Sequence, residues 1–474
     1  MAGKVAACLA TEIRRGRFGP GDRLPSSRVL ASQLGVHRNT VLSALDDLVA
    51  QGYVAAEAGR GVFVSTQLAS ATRPKTPSRR GGTSTPPADF PLAARRPAPL
   101  PSEFDSAPYP LLGGLPDLRL IPEKELARAY RSALRSARLT LDYQSERGQP
   151  RFLREFSRFL AHTRGVTAAE GELMATRGSQ QALFLAAHVL CRPGQVIAVE
   201  ALGYPPAWEA FRLAGAKLQP VRVDKRGIVV DDLLRLSEQE DIAAVYVTPH
   251  HQYPTTVTMS ASRRQRLLEL AQARQFFVIE DDYDHEFHFE GQPVLPLASF
   301  DAARLVIHIG TLSKVFAPGL RIGYVAAQER VVAQMAAARR LLDRQGDHTL
   351  ELALAYLIEE GVLGAHLRRM HRVYAERRLA LHQAISSSLQ GRLSFVPAAG
   401  GLAVWARVVA PPGAGTRFAA QWAERALTKG VAVQPARMLS FDGRHRGAMR
   451  LGFPRLDAGE IRQAVRLLGQ CYLD

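Results

Sequence analysis

Cysteine is almost missing: Cys8, Cys191 and Cys471 are the only three in 474 residues, far apart and without metal-ligand spacing. That excludes a disulfide framework and points to a reducing compartment, the cytoplasm. Long apolar runs are missing too, so no membrane span is expected. Met1-Ala-Gly-Lys-Val-Ala-Ala-Cys8 is apolar only in amphipathic steps, with Glu12, Arg14 and Arg15 following, and reads as a helix of the mature protein, not a secretory leader. Acid is the scarcer charge. Forty-four carboxylates face 61 lysines and arginines, a net charge of +17, which favours an anionic partner, nucleic acid first. An arginine-rich composition alone gives the same excess, so a motif must support it. The length exceeds one ordinary core and predicts at least two domains.

Residues 1–65 supply that motif. Ala2 to Arg15 is an amphipathic helix closed by Gly16-Arg-Phe-Gly-Pro-Gly21, and Pro25-Ser-Ser caps a second helix from Arg28 to Leu34. Gly35 breaks the chain before a third helix, Arg38 to Ala50, with Val41, Leu45, Leu48 and Val49 on one face. Two short helices joined at a glycine are a helix-turn-helix pattern. Tyr53 to Val64 then reads as two strands around Gly59-Arg60-Gly61, a wing. In that geometry His37, Arg38, Asn39 and Thr40 reach bases and phosphates of double-stranded DNA from the third helix, with Arg28 on the second and Arg60 at the wing tip. The alternative is a small helical cap with a hairpin. Asp22-Arg-Leu-Pro-Ser-Ser-Arg28 and Leu34-Gly-Val-His-Arg-Asn-Thr-Val41 resemble the GntR-type winged helix, except that His37 stands where that family has a small hydroxyl residue.

Residues 66–108 hold nine prolines and the pairs Arg79-Arg80 and Arg95-Arg96, with little apolar periodicity. This reads as a Pro-rich linker whose flexible span is roughly 35–40 Å. Its arginines read as solvated linker charge before they read as DNA contacts.

From residue 109 to 474 strands and helices alternate, the mark of an α/β domain with a mainly parallel sheet, and from Leu363 a smaller α+β part follows. Leu305 to Ile309 reads as a buried strand delivering Thr311, Ser313 and Lys314 into a Pro/Gly turn. Gln275 to Glu280 is another, ending in Asp281-Asp282-Tyr283. A lysine and an acid at two strand ends of one sheet are what pyridoxal phosphate requires: the amine condenses with the aldehyde and the acid keeps the pyridine nitrogen protonated. Thr311, Ser313 and Arg321 suit the phosphate. Gly178, Ser179 and Gln180, opening an apolar helix, offer it backbone amides. Asp281 is assigned to the nitrogen, and Asp282 is its rival.

Ser313-Lys314, Gly319-Leu-Arg-Ile-Gly323 and the upstream Asp281 and Tyr283 together resemble a fold-type I PLP-dependent aminotransferase from about Tyr109 onward. The resemblance implies that Tyr204 stacks on the ring, Tyr283 meets the ring hydroxyl and Arg450 binds a substrate carboxylate. It also implies that Tyr143 reaches the phosphate of the opposite subunit in a homodimer. Aminotransferases usually carry Asn-Pro-x-Gly where this chain has Tyr253-Pro-Thr-Thr256. His251-Gln-Tyr-Pro254 and Glu280-Asp-Asp-Tyr-Asp284 are instead similar to the MocR branch of the GntR regulators, a winged helix fused to an aminotransferase-like domain, with Thr256 departing where glycine is usual and Ala403 where a polar residue is common. The resemblance implies a transcriptional regulator that responds to an amino acid, an amine or pyridoxal phosphate itself. The competing expectation is an active aminotransferase with an appended DNA-binding domain.

Overall fold

The computed structural model describes residues 1–66, 106–291, 294–444 and 446–472 and divides into two compact units, Met1–Arg95 and Arg96–Asp474. Of the stretch read as a linker, residues 67–105 lie outside the described residues, and both arginine pairs with them.

The first unit packs α1 (Ala2–Arg14), α2 (Ser27–Leu34) and α3 (Arg38–Ala50) beside a hairpin of β1 (Val54–Glu57) and β2 (Gly61–Val64). Ser26 Oγ accepts from the Val29 N–H and caps α2, and Gly35 ends it with φ 64°. Helix α3 buries Val41, Ala44, Leu45 and Leu48 against Val5, Leu9 and Ile13 of α1. Val49, expected on that face, is 39% exposed. It lies about 40° beyond Leu45 around the helix, past the edge of the buried stripe. Residues 22–24 flank the hairpin as a further extended segment, the Leu24 N–H donating to the Val62 carbonyl and the Val64 N–H to that of Asp22, both at 2.9 Å. Gly61 opens β2 at φ 123°, a conformation that favours glycine.

The second unit is organised on a seven-stranded sheet. In chain order its strands are β3 (Leu173–Thr176), β4 (Val196–Glu200), β5 (Lys217–Val221), β6 (Ile242–Val247), β7 (Phe277–Asp282), β8 (Val306–Thr311) and β9 (Gly323–Ala326). In space they run β3-β9-β8-β7-β6-β4-β5, with only β9 antiparallel to its neighbours. Every residue of β3, β4, β6, β8 and β9 is buried, because helices cover both faces, including α4 (Gly178–Leu190) directly after β3. Strands β7 and β8 each run two residues past their expected ends, since parallel pairing continues through Asp281↔Ile309 and Asp282↔Gly310. The carboxylates therefore sit inside the sheet.

The C-terminal part has a long helix, α5 (Val362–Ser388), and a four-stranded antiparallel sheet of β10 (Leu393–Phe395), β11 (Ala403–Val408), β12 (Gln434–Pro435) and β13 (Ala448–Gly452) in the spatial order β10-β11-β13-β12. The strand expected to start at Gly400 starts at Ala403 instead. Gly400 forms an isolated bridge with His288, and Gly401 turns the backbone at φ 90°. Among the described residues no helix is long and apolar enough to cross a membrane.

Candidate functional site

The DNA-facing candidates of the first unit are on its surface. Arg28, His37, Arg38, Asn39 and Arg60 are exposed and Thr40 is half-buried. His37 takes the role of the missing hydroxyl: its Nδ1 accepts from the Asn39 N–H at 3.3 Å and caps α3, which leaves Nε2 as the protonated nitrogen. Arg38 Nε donates to Ser27 Oγ at 3.3 Å, tying the start of α3 to α2, and Arg60 pairs with Glu57 at 2.7 Å beside the wing tip.

In the second unit, β7 sorts its acids by period two. Glu280 and Asp282 face one side. Glu280 accepts from the Leu297 and Ala298 amides and lies 3.0 Å from His308 Nδ1, while Asp282 Oδ2 accepts from Arg164 at 3.1 Å and lies 3.4 Å from His285. Asp281 faces the other side. Its Oδ2 accepts from the Tyr246 phenol at 2.8 Å, and its Oδ1 is buried with no hydrogen-bond partner among the described residues. Burial raises the Asp281 carboxyl to about 6, with Lys314 and the Tyr246 hydrogen bond opposing.

Lys314 follows β8 by three residues, and its amine is lowered to about 8, first by burial and then by the positive charge of Arg450, against Asp281 and Asp284. Arg450 on β13 is completely buried, its carbon 4.5 Å over the Tyr253 ring and its guanidinium beside the Tyr283 phenol, with no carboxylate paired to it among the described residues. Tyr204 meets Tyr253 edge to face at 5.3 Å, and Tyr283 donates its hydroxyl to the His251 carbonyl at 2.9 Å. Thr256 adopts φ 61°, a conformation costing a β-branched residue about 1–2 kcal/mol, with its amide bonded to the Gln252 carbonyl at 2.7 Å. The loop keeps the glycine-like turn with a threonine in it.

Three segments converge at the start of α4. A Cβ on Gly323 would lie 2.9 Å from the Ser179 nitrogen, and one on Gly178 would lie 3.0 Å from Arg321, which donates to the Arg177 carbonyl. Thr311 Oγ1 donates to the Ile322 carbonyl and accepts from the Ser313 N–H. Ser179 and Gln180 are partly buried there, the Gln180 amide beside the Tyr204 phenol. Tyr143 stands apart, 74% exposed, with Arg344 5.0 Å over its ring.

Sequence reasoning passed over three parts of this pocket. Tyr246 holds Asp281, and the signal was a phenol in the otherwise aliphatic strand Ile242-Ala-Ala-Val-Tyr-Val247. Gly113 and Gly114 let the backbone cross the site, a Cβ on Gly114 falling 3.1 Å from Lys314 Nζ and one on Gly113 falling inside the Arg450 guanidinium. The paired glycines just past the proline-rich stretch were that signal. Glu200, fully buried at the end of β4 and raised to about 8 by burial, accepts from Thr248, whose hydroxyl oxygen accepts in turn from the Tyr253 N–H.

Residues 115–468 match the family model for aminotransferase class I and II, and residues 1–64 match that for bacterial regulatory proteins of the gntR family. The chain is 33% identical over 468 residues to the HTH-type transcriptional regulator TauR of Rhodobacter capsulatus, covering 96% of this chain and 93% of that one. It is also 33% identical over 376 residues to the probable rhizopine catabolism regulatory protein MocR of Rhizobium meliloti, covering 78% and 74%. The solved structure of LysN, the alpha-aminoadipate aminotransferase of Thermus thermophilus complexed with N-(5'-phosphopyridoxyl)-L-leucine, is similar with a TM-score of 0.69 and 29% identity, over 76% of this chain and 91% of that one.

Proposed function

The chain belongs to the aminotransferase class I and II family and, through its gntR-family domain, to the MocR-type transcriptional regulators, and from that premise we propose that an amino acid reaching pyridoxal phosphate at Lys314 sets how the winged helices meet double-stranded DNA. The observation that carries the cofactor assignment is the buried, unpartnered Asp281 Oδ1, electrostatically coupled to Lys314 and suited to a pyridine N–H. When bound, the cofactor supplies an aldehyde for an amine and a ring that withdraws electrons.

The chain's own residues would do the rest. Lys314 would offer the amine, Asp281 would accept the ring N–H, Tyr204 would supply an aromatic face, and Tyr253 and Tyr283 would be the residues for the ring hydroxyl. Ser179, Gln180, Thr311, Ser313 and Arg321, gathered at the N-terminus of α4, would hold the phosphate. Arg450 presents a guanidinium fork that a carboxylate satisfies, which favours an amino acid over a simple amine as effector. In a homodimer the exposed Tyr143 is free to reach the neighbouring subunit's site. Coupling then requires only that the ligand bind two domain arrangements with different affinity.

The depressed Lys314 amine gives a pH signature. Only the neutral amine attacks an aldehyde, so cofactor uptake by the cofactor-free chain is expected to speed up with pH around a midpoint of about 8. At pH ~7.5 the reactive fraction is roughly two-hundredfold above that of an ordinary lysine. Stopped-flow absorption across pH measures it, and a midpoint near that of a free lysine would contradict the burial account.

An active aminotransferase is the rival reading, and turnover separates the two. With amino donors and a keto acid, the chain is expected to react once per site at most and then stall, because a bulky phenol at Tyr253 replaces the asparagine usual in the enzymes. Sustained multiple turnover with DNA affinity indifferent to the same compounds would favour the enzyme.

A further inference from the structure

Behind the ring-side residues lies a group of histidines that the proposed function does not use. His250 and His251 lie in the turn after β6, and His285 and His288 follow β7. The His250 ring lies 4.4 Å from that of His251, 4.5 Å from that of His285 and 5.9 Å from that of His288, measured between centroids. One nitrogen each of His250, His251 and His288 lies within 4.8 Å of the other two. Both nitrogens of His250, Nε2 of His251 and Nδ1 of His288 are buried without a hydrogen-bond partner among the described residues, and His250 and His251 are 3% and 1% exposed. Buried polar atoms are ordinarily bonded, so three imidazoles that bring one nitrogen each together, with so few hydrogen bonds among them, ask for a ligand.

Their tautomers suit a cation. His251 Nδ1 lies 2.8 Å from Asp284 Oδ1, which makes it the donor and turns the lone pair of Nε2 toward the cluster. A carboxylate behind a ligating imidazole is the usual orienting arrangement at metal centres. Gly400 leaves room for that nitrogen, since a Cβ there would lie 2.3 Å from it, and Gly400 is bridged to His288. Asp282 and Asp284 add two nearby carboxylates, whose Oδ1 and Oδ2 respectively are likewise unpartnered among the described residues. His288 is only half-buried and gives the cluster an edge toward solvent.

We propose that His250 and His288, with His251 Nε2, form a binding site for a divalent transition-metal ion of the zinc class. Imidazole nitrogens select such ions over magnesium or calcium. Three ligands at 2.0–2.1 Å place their nitrogens about 3.4 Å apart, so the rings have to close by up to about 1.4 Å, within reach of side-chain rotation. Bound there, the ion would link the turn carrying Tyr253 to the segment carrying Asp281 and Tyr283. The cysteine pattern gave no hint of it, because its ligands are all histidines brought together by the sheet.

The test uses the full-length chain stripped with chelator and titrated with Co(II) and then Zn(II), followed by ligand-field absorption and by metal content after dialysis. One Co(II) per chain with an intense visible band, displaced by one Zn(II), is expected. His250→Ala and His288→Ala should each weaken Co(II) binding at least about a hundredfold, and Asp284→Asn, acting through His251, about ten- to a hundredfold. Circular dichroism establishes that the variants are folded, and the wild-type titration stands without them. Less than a tenth of an equivalent retained by the wild type would overturn the site. So would Co(II) binding that both histidine variants leave unchanged, which would mean surface histidines alone.

Discussion

Lys314→Ala is expected to abolish the visible absorption band that the wild-type chain acquires with pyridoxal phosphate. The effect should be all or none, because attachment needs an amine that is both buried beside Asp281 and partly neutral near physiological pH. The other lysines of this unit, Lys124, Lys217, Lys225 and Lys429, are all exposed. None can substitute from the surface. Lys314→Arg is the companion variant, since it keeps a positive charge between Asp281 and Arg450 but cannot deprotonate. It should be equally colourless while remaining folded. A Lys314→Ala protein that still develops the band and survives borohydride reduction with the cofactor attached would move the site elsewhere.

The second large effect concerns DNA. Removing residues 1–66 is expected to weaken binding to the operator by a thousandfold or more, the usual gap between specific and non-specific binding. Within that domain Arg38→Ala should cost about 1–3 kcal/mol if the side chain reads a base. If it meets only phosphate, it should flatten the slope of log K against log salt by about one. Arg38 is poised for either role by its bond to Ser27, which holds the first turn of α3 beside α2. His37→Ser, restoring a small hydroxyl at the cap, should preserve the helix and cost affinity only if the outward Nε2 touches the backbone of the DNA. Fluorescence anisotropy over a salt series measures all three. A truncated chain that binds as well as the full one would refute the assignment.

Much of the fold was legible because the patterns were local. Helix α3 runs from Arg38 to Ala50 and β4 from Val196 to Glu200 at their expected bounds, since a glycine break or a fully apolar run marks each end. Boundaries failed where partners at a distance decided them. Strand β7 extends through Asp282 because β8 continues to pair with it and because Arg164, 118 residues earlier, neutralises the buried acid. That same arginine is what distinguishes Asp282 from Asp281, two adjacent aspartates that are equivalent as letters. The pocket's crossing turn at Gly113 and Gly114, the phenol of Tyr246 and the meeting of four histidines depend likewise on which chain segments the sheet brings together.

Operator affinity of the full-length chain, measured with pyridoxal phosphate bound and an amino-acid series added, tests the regulatory account most directly. The account predicts that at least one amino acid shifts the wild-type affinity or footprint by about fivefold or more, the range of ordinary allosteric coupling. The same compound should leave Lys314→Ala unchanged. Identical DNA binding by wild type and Lys314→Ala, with and without every amino acid, would contradict it.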